Sequence, residues 1–306
     1  MDNQLVLVDV GASGEPPKIW KQIGSSSTYV GFDPDEREMI EVHSDFFKRH
    51  IIINKAVMPN AGHVKFYLTQ SPYCSSTLPP DLTSLQDYIY SDLFVVTSEA
   101  TVSATTLDDA IAVHDLKQID WLKTDSQGID LQIYKSMSDQ LRNKVMALDV
   151  EPGLLHAYQG EDLFPAVHME LLNNGFWLSG LQTEGTIRMK RKTMHDLNLQ
   201  EDTIIKASKM APGWLEARYL RTLDWLETHE MSRREYMVLF VFSVMQRHYG
   251  YALDILQQYQ DLFGEDPILK QAQVDTVALI HQLAQDDRNK SSLARRIKNR
   301  IRRVLS

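Results

Sequence analysis

The stretch LVDVGASGEPPKIW, residues 7–20, decides how this chain is read. A β-prone apolar run carries Asp9, two glycines follow at Gly11 and Gly14, and Pro16 and Pro17 suit the first turn of a helix. A strand feeding a glycine turn and then a helix is how a doubly wound sheet opens, and ligands bind such sheets beyond the carboxyl ends of the strands. The spacing G-x-x-G is neither the G-x-G-x-x-G of a dinucleotide turn nor a P-loop with its Lys-Ser/Thr pair.

Working outward, short apolar runs alternate with helical patterns, which is the signature of a parallel sheet covered by helices. Strands are expected at 5–10, 28–32, 51–54, 119–124 and 144–149, with helices at 17–23, 35–47, 130–138 and 162–173. Two last strands are expected at 176–181 and 214–220. The Ser/Thr/Pro-rich stretch 66–90 reads as a loop, and 94–105 as extra strand over one end of the sheet. From about residue 221 the periodicity is helical throughout, with helices expected at 232–248, 251–263, 267–285 and 291–305. The chain is thus read as an α/β domain, 1–222, followed by a helical C-terminal region, 223–306.

Carboxylates gather at the strand ends. YVGFDPD ends the second strand in Asp33, about twenty residues after the glycine turn, where an acid can accept hydrogen bonds from a ribose diol. Asp33 before Pro34 is also a good helix cap. IDWLKTDSQGIDLQIY ends a later strand in Asp125, followed by a Gly128 turn and a new helix. Asp9, Asp33 and Asp125 on one rim would repel a pyrophosphate, and they suit a ligand carrying hydroxyls and a positive charge.

VDVGASG, GFDPD, INKAV, TTLDDAI, IDWLKTDSQGIDLQIYKSM and DVEPGLLHAYQGEDLFPAVHMELLNNGFWLSGL stand here in the order and spacing of FkbM-family methyltransferases, which this chain resembles over residues 5–222. The resemblance implies S-adenosylmethionine as cofactor. It also implies a Rossmann-like class I methyltransferase fold: a seven-stranded, mostly parallel sheet whose last strand is antiparallel. By the same resemblance Asp9, Gly11, Ala12 and Gly14 would face the methionine part of the cofactor, Asp33 its ribose, and Asp125 the sulfonium, amino group or acceptor. Two residues depart from the family pattern. Gln127 replaces the acid of a DxEG turn, which argues against a metal-dependent mechanism, and Asp33 replaces a commoner glutamate. The activity so implied is O-methylation of a sugar, glycan or secondary metabolite hydroxyl. A non-catalytic binding or assembly protein, and less so a nicotinamide-dependent dehydrogenase, are the alternatives.

Methyl transfer needs alignment of donor and acceptor and removal of one proton from the acceptor. By position the candidate bases are Asp125 and His156, with His168 and Glu151 behind them; His168 also reads as a packed or surface histidine in mid-helix. SPYCSSTLPP, residues 71–80, reads either as a lid offering Tyr73, Ser75 and Ser76 or as a plain loop. Cys74 has no evident histidine partner, and none of the ten histidines has zinc-ligand spacing, so no metal is expected.

The formal charge is −9, yet residues 288–306 hold eight basic residues and no acidic one, leaving −17 on the rest. Nucleic acid is not an expected partner of such an acidic body, and no aromatic residue interleaves the basic end. Residues 291–305 form a basic amphipathic pattern that suits either peripheral membrane contact or packing on the protein or a sister subunit. With one cysteine, no apolar leader and no long apolar run, the expected location is the cytoplasm, with contact at the inner membrane face an option.

Overall fold

The structure, a computed structural model, describes residues 4–35 and 46–304, with side chains described through residue 285. The chain divides into two compact units, Met1–Glu230 and Met231–Ser306. Each is described by itself.

The described strands of the first unit are β1 (Leu5–Val10), β2 (Ser27–Phe32), β3 (Arg49–Ile53), β4 (Ala56–Val57), β5 (Gly62–Thr69), β6 (Val96–Thr105), β7 (Trp121–Thr124), β8 (Ala147–Val150), β9 (Phe176–Thr186) and β10 (Ala211–Arg221). Seven of them form one sheet in the order β3-β2-β1-β7-β8-β10-β9. β1, β2, β3, β7 and β8 pair in parallel, while β10 inserts antiparallel between β8 and β9. The last strand in the chain is therefore the antiparallel one, and the parallel strands end on a common rim.

Strand alternation sorts the side chains to two faces. Val8, Val30, Leu122 and Leu148 lie on one face, in a core with Ile111 of the helix Leu107–Val113, Ile133 of Asp130–Ser136 and Leu171 of Phe164–Asn173. Each such side chain contributes roughly 1.5–3 kcal/mol by burial. The other face carries a transverse row at matched register, Asp9 beside Lys123, Lys123 beside Asp149 and Asp149 beside Arg218. Two ion pairs tie the row: Lys123 Nζ to Asp9 Oδ1 at 3.2 Å and Arg218 Nε to Asp149 Oδ1 at 3.0 Å.

Several expectations need correction. The helix expected at 17–23 is a short 3-10 segment, Lys18–Gln22, because Gly24 packs against the Phe46 carbonyl and β2 must begin at Ser27. β8 starts at Ala147, since the preceding residues close a helical turn through Lys144 N–H to Leu141 O and Val145 N–H to Arg142 O. The stretch read as a loop from residue 66 begins inside β5, which pairs antiparallel with β6; β4 joins β6 in parallel to make a separate three-stranded sheet. The helix expected at 35–47 lies, for residues 36–45, outside the described residues.

In the second unit the helices are Arg233–Met245, Tyr249–Phe263 and Pro267–Val304. Ser232 caps the first with a reciprocal bond from its own N–H to Glu235 Oε2 at 3.0 Å. The third is one continuous helix where two were expected, because no glycine or proline follows Pro267 before Val304. The basic pattern at 291–305 falls in its C-terminal part, outside the residues whose side chains are described.

Candidate active site

The glycine turn pulls three strand ends together. Gly11 N–H and Ala12 N–H both donate to Phe32 O at 2.9 Å, and Asp125 N–H donates to Val10 O at 2.9 Å. Gly11 has φ +81°, and a Cβ there would stand 2.2 Å from the Asp125 carbonyl oxygen. Only glycine serves both the dihedral and the contact. Beyond these ends lies a cleft lined by Gly11, Phe32, Asp33, Val57, Thr77 and Asp125, among others.

Asp33 follows β2 and its Oδ1 accepts from Asp35 N–H at 2.8 Å, while the helix it is expected to cap lies, for residues 36–45, outside the described residues. Burial pushes its carboxyl up to about 6, and the nearby carboxylates of Asp35, Asp125 and Asp9 act in the same direction. A carboxyl so placed is relieved by hydroxyl donors or by a cation.

The turn after β7 is held by side chains that sequence reading missed. Asp130 Oδ1 accepts from Ser126 Oγ at 2.5 Å and from Ser126 N–H at 2.9 Å, and its Oδ2 accepts from Glu151 N–H at 3.0 Å. This buried carboxylate joins the turn after β7 to the residue after β8. The spacing of Ser126 and Asp130 in DSQGID is the signal that could have shown it. Gln127 takes φ +57° and donates from Nε2 to Asp125 Oδ1 at 2.5 Å. The Tyr158 hydroxyl lies 2.8 Å from both Gln127 Oε1 and Cys74 O, its single proton shared between them.

The 71–80 segment is held in place at its serines. Ser75 Oγ accepts from Thr69 N–H at 3.1 Å and Ser76 Oγ donates to Gln127 O at 2.7 Å. Those hydroxyls brace the cleft wall, while Tyr73 is 60% exposed. Thr77 lines the cleft, and its Oγ1 is buried with no partner among the described residues. Burial pushes the Cys74 thiol up to about 11, which suits a resting thiol.

Asp9 does not line this cleft. It is 3% exposed, accepts from Tyr29 Oη at 3.1 Å and from Lys123, and lines a second cavity with Lys123, Asp149, Glu151, Glu216 and Arg218. Gly11 and Ser13 border both cavities, so the glycine turn is their shared wall. Against the opposing cost of burial, the carboxylates of Asp9, Asp125 and Glu151 hold the Lys123 ammonium well above its usual range. Burial and the Asp125 carboxylate push Glu151 up to about 9, with Asp130 and Glu216 adding to it and Lys123 opposing.

Of the residues singled out from sequence, the structure brings Gly11, Asp33 and Asp125 to one cleft and Asp9 to its neighbour. Ala12 and Gly14 line neither cavity, although Ala12 stands against Gly31. His156 is exposed and lines neither. His168 Nδ1 lies 3.0 Å from the Tyr219 hydroxyl and its ring stacks on Phe164, a packed helix histidine. Among the described residues no group of three or more His, Cys, Asp or Glu side chains is placed to hold a metal, and no helix is long and apolar enough to cross a membrane.

A mostly parallel sheet with one inserted antiparallel strand, and an acidic cleft built on a glycine turn at the strand ends, are consistent with a methyltransferase-like α/β fold. The sequence model of the methyltransferase FkbM domain matches residues 12–178, more than half of the chain. The chain belongs to the FkbM methyltransferase family. No curated protein and no solved structure matched it.

Proposed function

We propose that the chain uses S-adenosylmethionine, in a Rossmann-like class I methyltransferase fold, to methylate a hydroxyl of a sugar, glycan or secondary metabolite. The observation that carries this reading is the cleft at the ends of β1, β2 and β7, where Asp33 meets the glycine turn and Asp125. Its chemistry fits the cofactor. Asp33 has acceptor capacity for ribose hydroxyls, Thr77 Oγ1 is a buried hydroxyl in want of a partner, and the surrounding carboxylates favour a cation.

When bound, the cofactor supplies a methyl carbon already activated by a sulfonium. The chain's own part is to bind, orient and manage one proton. Gly11 lets the turn pack directly on the Asp125 backbone and so fixes the floor of the cleft. Asp125, aimed by Gln127, stands at the strand end where its carboxylate favours the positive charge of the cofactor. The neighbouring cavity mixes ion-paired donors and acceptors, which suits a polyhydroxylated acceptor.

Calorimetry with S-adenosylmethionine, S-adenosylhomocysteine and NAD tests the cofactor, with Asp33→Ala alongside. The two sulfur nucleosides should bind and NAD should not, and Asp33→Ala should weaken them by roughly 10-fold or more, the scale of one or two lost hydrogen bonds to a charged group. Unchanged affinity in Asp33→Ala would remove the ribose assignment. Mass spectrometry of a glycan panel after incubation with cofactor tests the acceptor class.

A further inference from the structure

Glu151 sits immediately after β8, and its backbone N–H is clamped at 3.0 Å by Asp130. Glu151 lines the second cavity together with Asp9, Lys123 and Glu216, and that cavity shares Gly11 and Ser13 with the cleft. The charged groups that act on it are Lys123 of β7, Asp125 just after that strand, Asp130 of the following helix and Glu216 of β10, and Glu15, Lys18, Asp149 and Arg218 line the same cavity. Lys123 is already ion-paired with Asp9, and Arg218 with Asp149. One ammonium is thus shared among Asp9, Asp125 and Glu151, and the cluster holds an excess of negative charge in a half-buried place.

Resting on the methyltransferase reading, we infer that Glu151 is the proton-holding residue of this site, losing its proton when the cationic cofactor binds and regaining one from the acceptor hydroxyl. In the chain alone, burial and the neighbouring acids hold Glu151 neutral at neutral pH, since its carboxyl is pushed up to about 9. A positive charge brought beside this cluster lowers the pKa of such a carboxyl, because an opposite charge favours the ionised form. In the transfer the hydroxyl oxygen exchanges its bond to hydrogen for one to the methyl carbon. Glu151 takes the proton, and the electron pair of the broken carbon–sulfur bond stays on sulfur. The acid is then neutral again beside a neutral thioether, so the proton of each turnover leaves at cofactor binding.

Isothermal titration in phosphate and in Tris, whose ionisation heats differ, counts the protons. S-adenosylhomocysteine carries the same amino and carboxylate groups without the sulfonium and is the control. In the wild type, S-adenosylmethionine should release up to one proton and S-adenosylhomocysteine none, and the affinity ratio of the two should rise, by up to about tenfold per pH unit, as pH approaches about 9 from below. In Glu151→Gln the difference should vanish while S-adenosylhomocysteine still binds. Equal release by both ligands, or release by S-adenosylmethionine persisting in Glu151→Gln, would overturn the inference. Should the variant not fold, a flat affinity ratio across pH in the wild type overturns it alone. Absence of binding by either nucleoside would instead remove the functional reading beneath it.

Discussion

Gln127 and Asp125 are locked together, amide nitrogen to carboxylate oxygen at 2.5 Å, and Tyr158 holds the far side of the same amide at 2.8 Å. The carboxylate requires the amide's donor end, so the Tyr158 proton faces its acceptor end. Gln127 occupies a left-handed backbone position that favours glycine, and its side chain is what justifies it there.

Tyr158→Phe leaves Gln127 Oε1 and Cys74 O without their shared donor, and is expected to cost about 1–3 kcal/mol in urea unfolding. Gln127→Glu sets a second carboxylate against Asp125. Its loss of stability should be larger at pH 8 than at pH 5, read from the same unfolding curves.

The two glycines of the first turn should respond differently to alanine. Gly11→Ala adds a methyl 2.2 Å from the Asp125 carbonyl at φ +81°, and should cost about 3 kcal/mol or more. Gly14, at φ +88° with nothing within 4 Å, should lose only about 1–2 kcal/mol. Thermal melts compare them, at about 2–4 °C per kcal/mol for a unit of this size.

Arg221 is buried, donates to the carbonyls of Val145, Asn174 and Arg142, and lies 3.8 Å from the ring centroids of both Phe176 and Trp225. Its planar fork satisfies the carbonyls from between the two rings. Arg221→Leu should cost about 3 kcal/mol or more, and Arg221→Lys should recover little of it. A lysine variant as stable as the wild type in urea would contradict this account.

Buried acids should make the ligand-free protein most stable under mildly acidic conditions. Burial pushes Asp33 and Asp130 up to about 6, Glu161 to about 7 and Glu151 to about 9. In the unfolded chain these carboxyls titrate near 4. A group whose folded value is raised contributes stability that is complete below the unfolded value and lost as pH rises through the folded one. Melting temperature should therefore fall between about pH 5 and 9. Glu151→Gln should flatten the upper part of that fall, and a melting temperature that rises over the range would contradict the assignment.

Much of the scaffold was legible along the chain because it depends on local rules. Short apolar runs mark the sheet strands, glycines mark the turns, and Asp33 and Asp125 stand where strands stop. β5 escaped notice although HVKFYL alternates His63, Lys65 and Tyr67 with apolar Val64, Phe66 and Leu68, because only Phe66 among them is buried and the Ser- and Pro-rich residues that follow blur the strand into a loop. The length of the third C-terminal helix was misread for the opposite reason, since polar residues at 286–292 interrupt the pattern without breaking the backbone.

What the sequence by itself determined, then, is the order of strands, turns and terminal acids, because dihedral preference and hydrophobic period act between near neighbours. Only the tertiary structure decided which acids meet. It put Asp130 between two turns, drew Glu151 toward Asp125 and Lys123, left His156 outside both cavities, and inserted β10 between β8 and β9. Those outcomes depend on burial and on charges brought together from distant parts of the chain, and neither burial nor field is a property of a residue's neighbours in sequence.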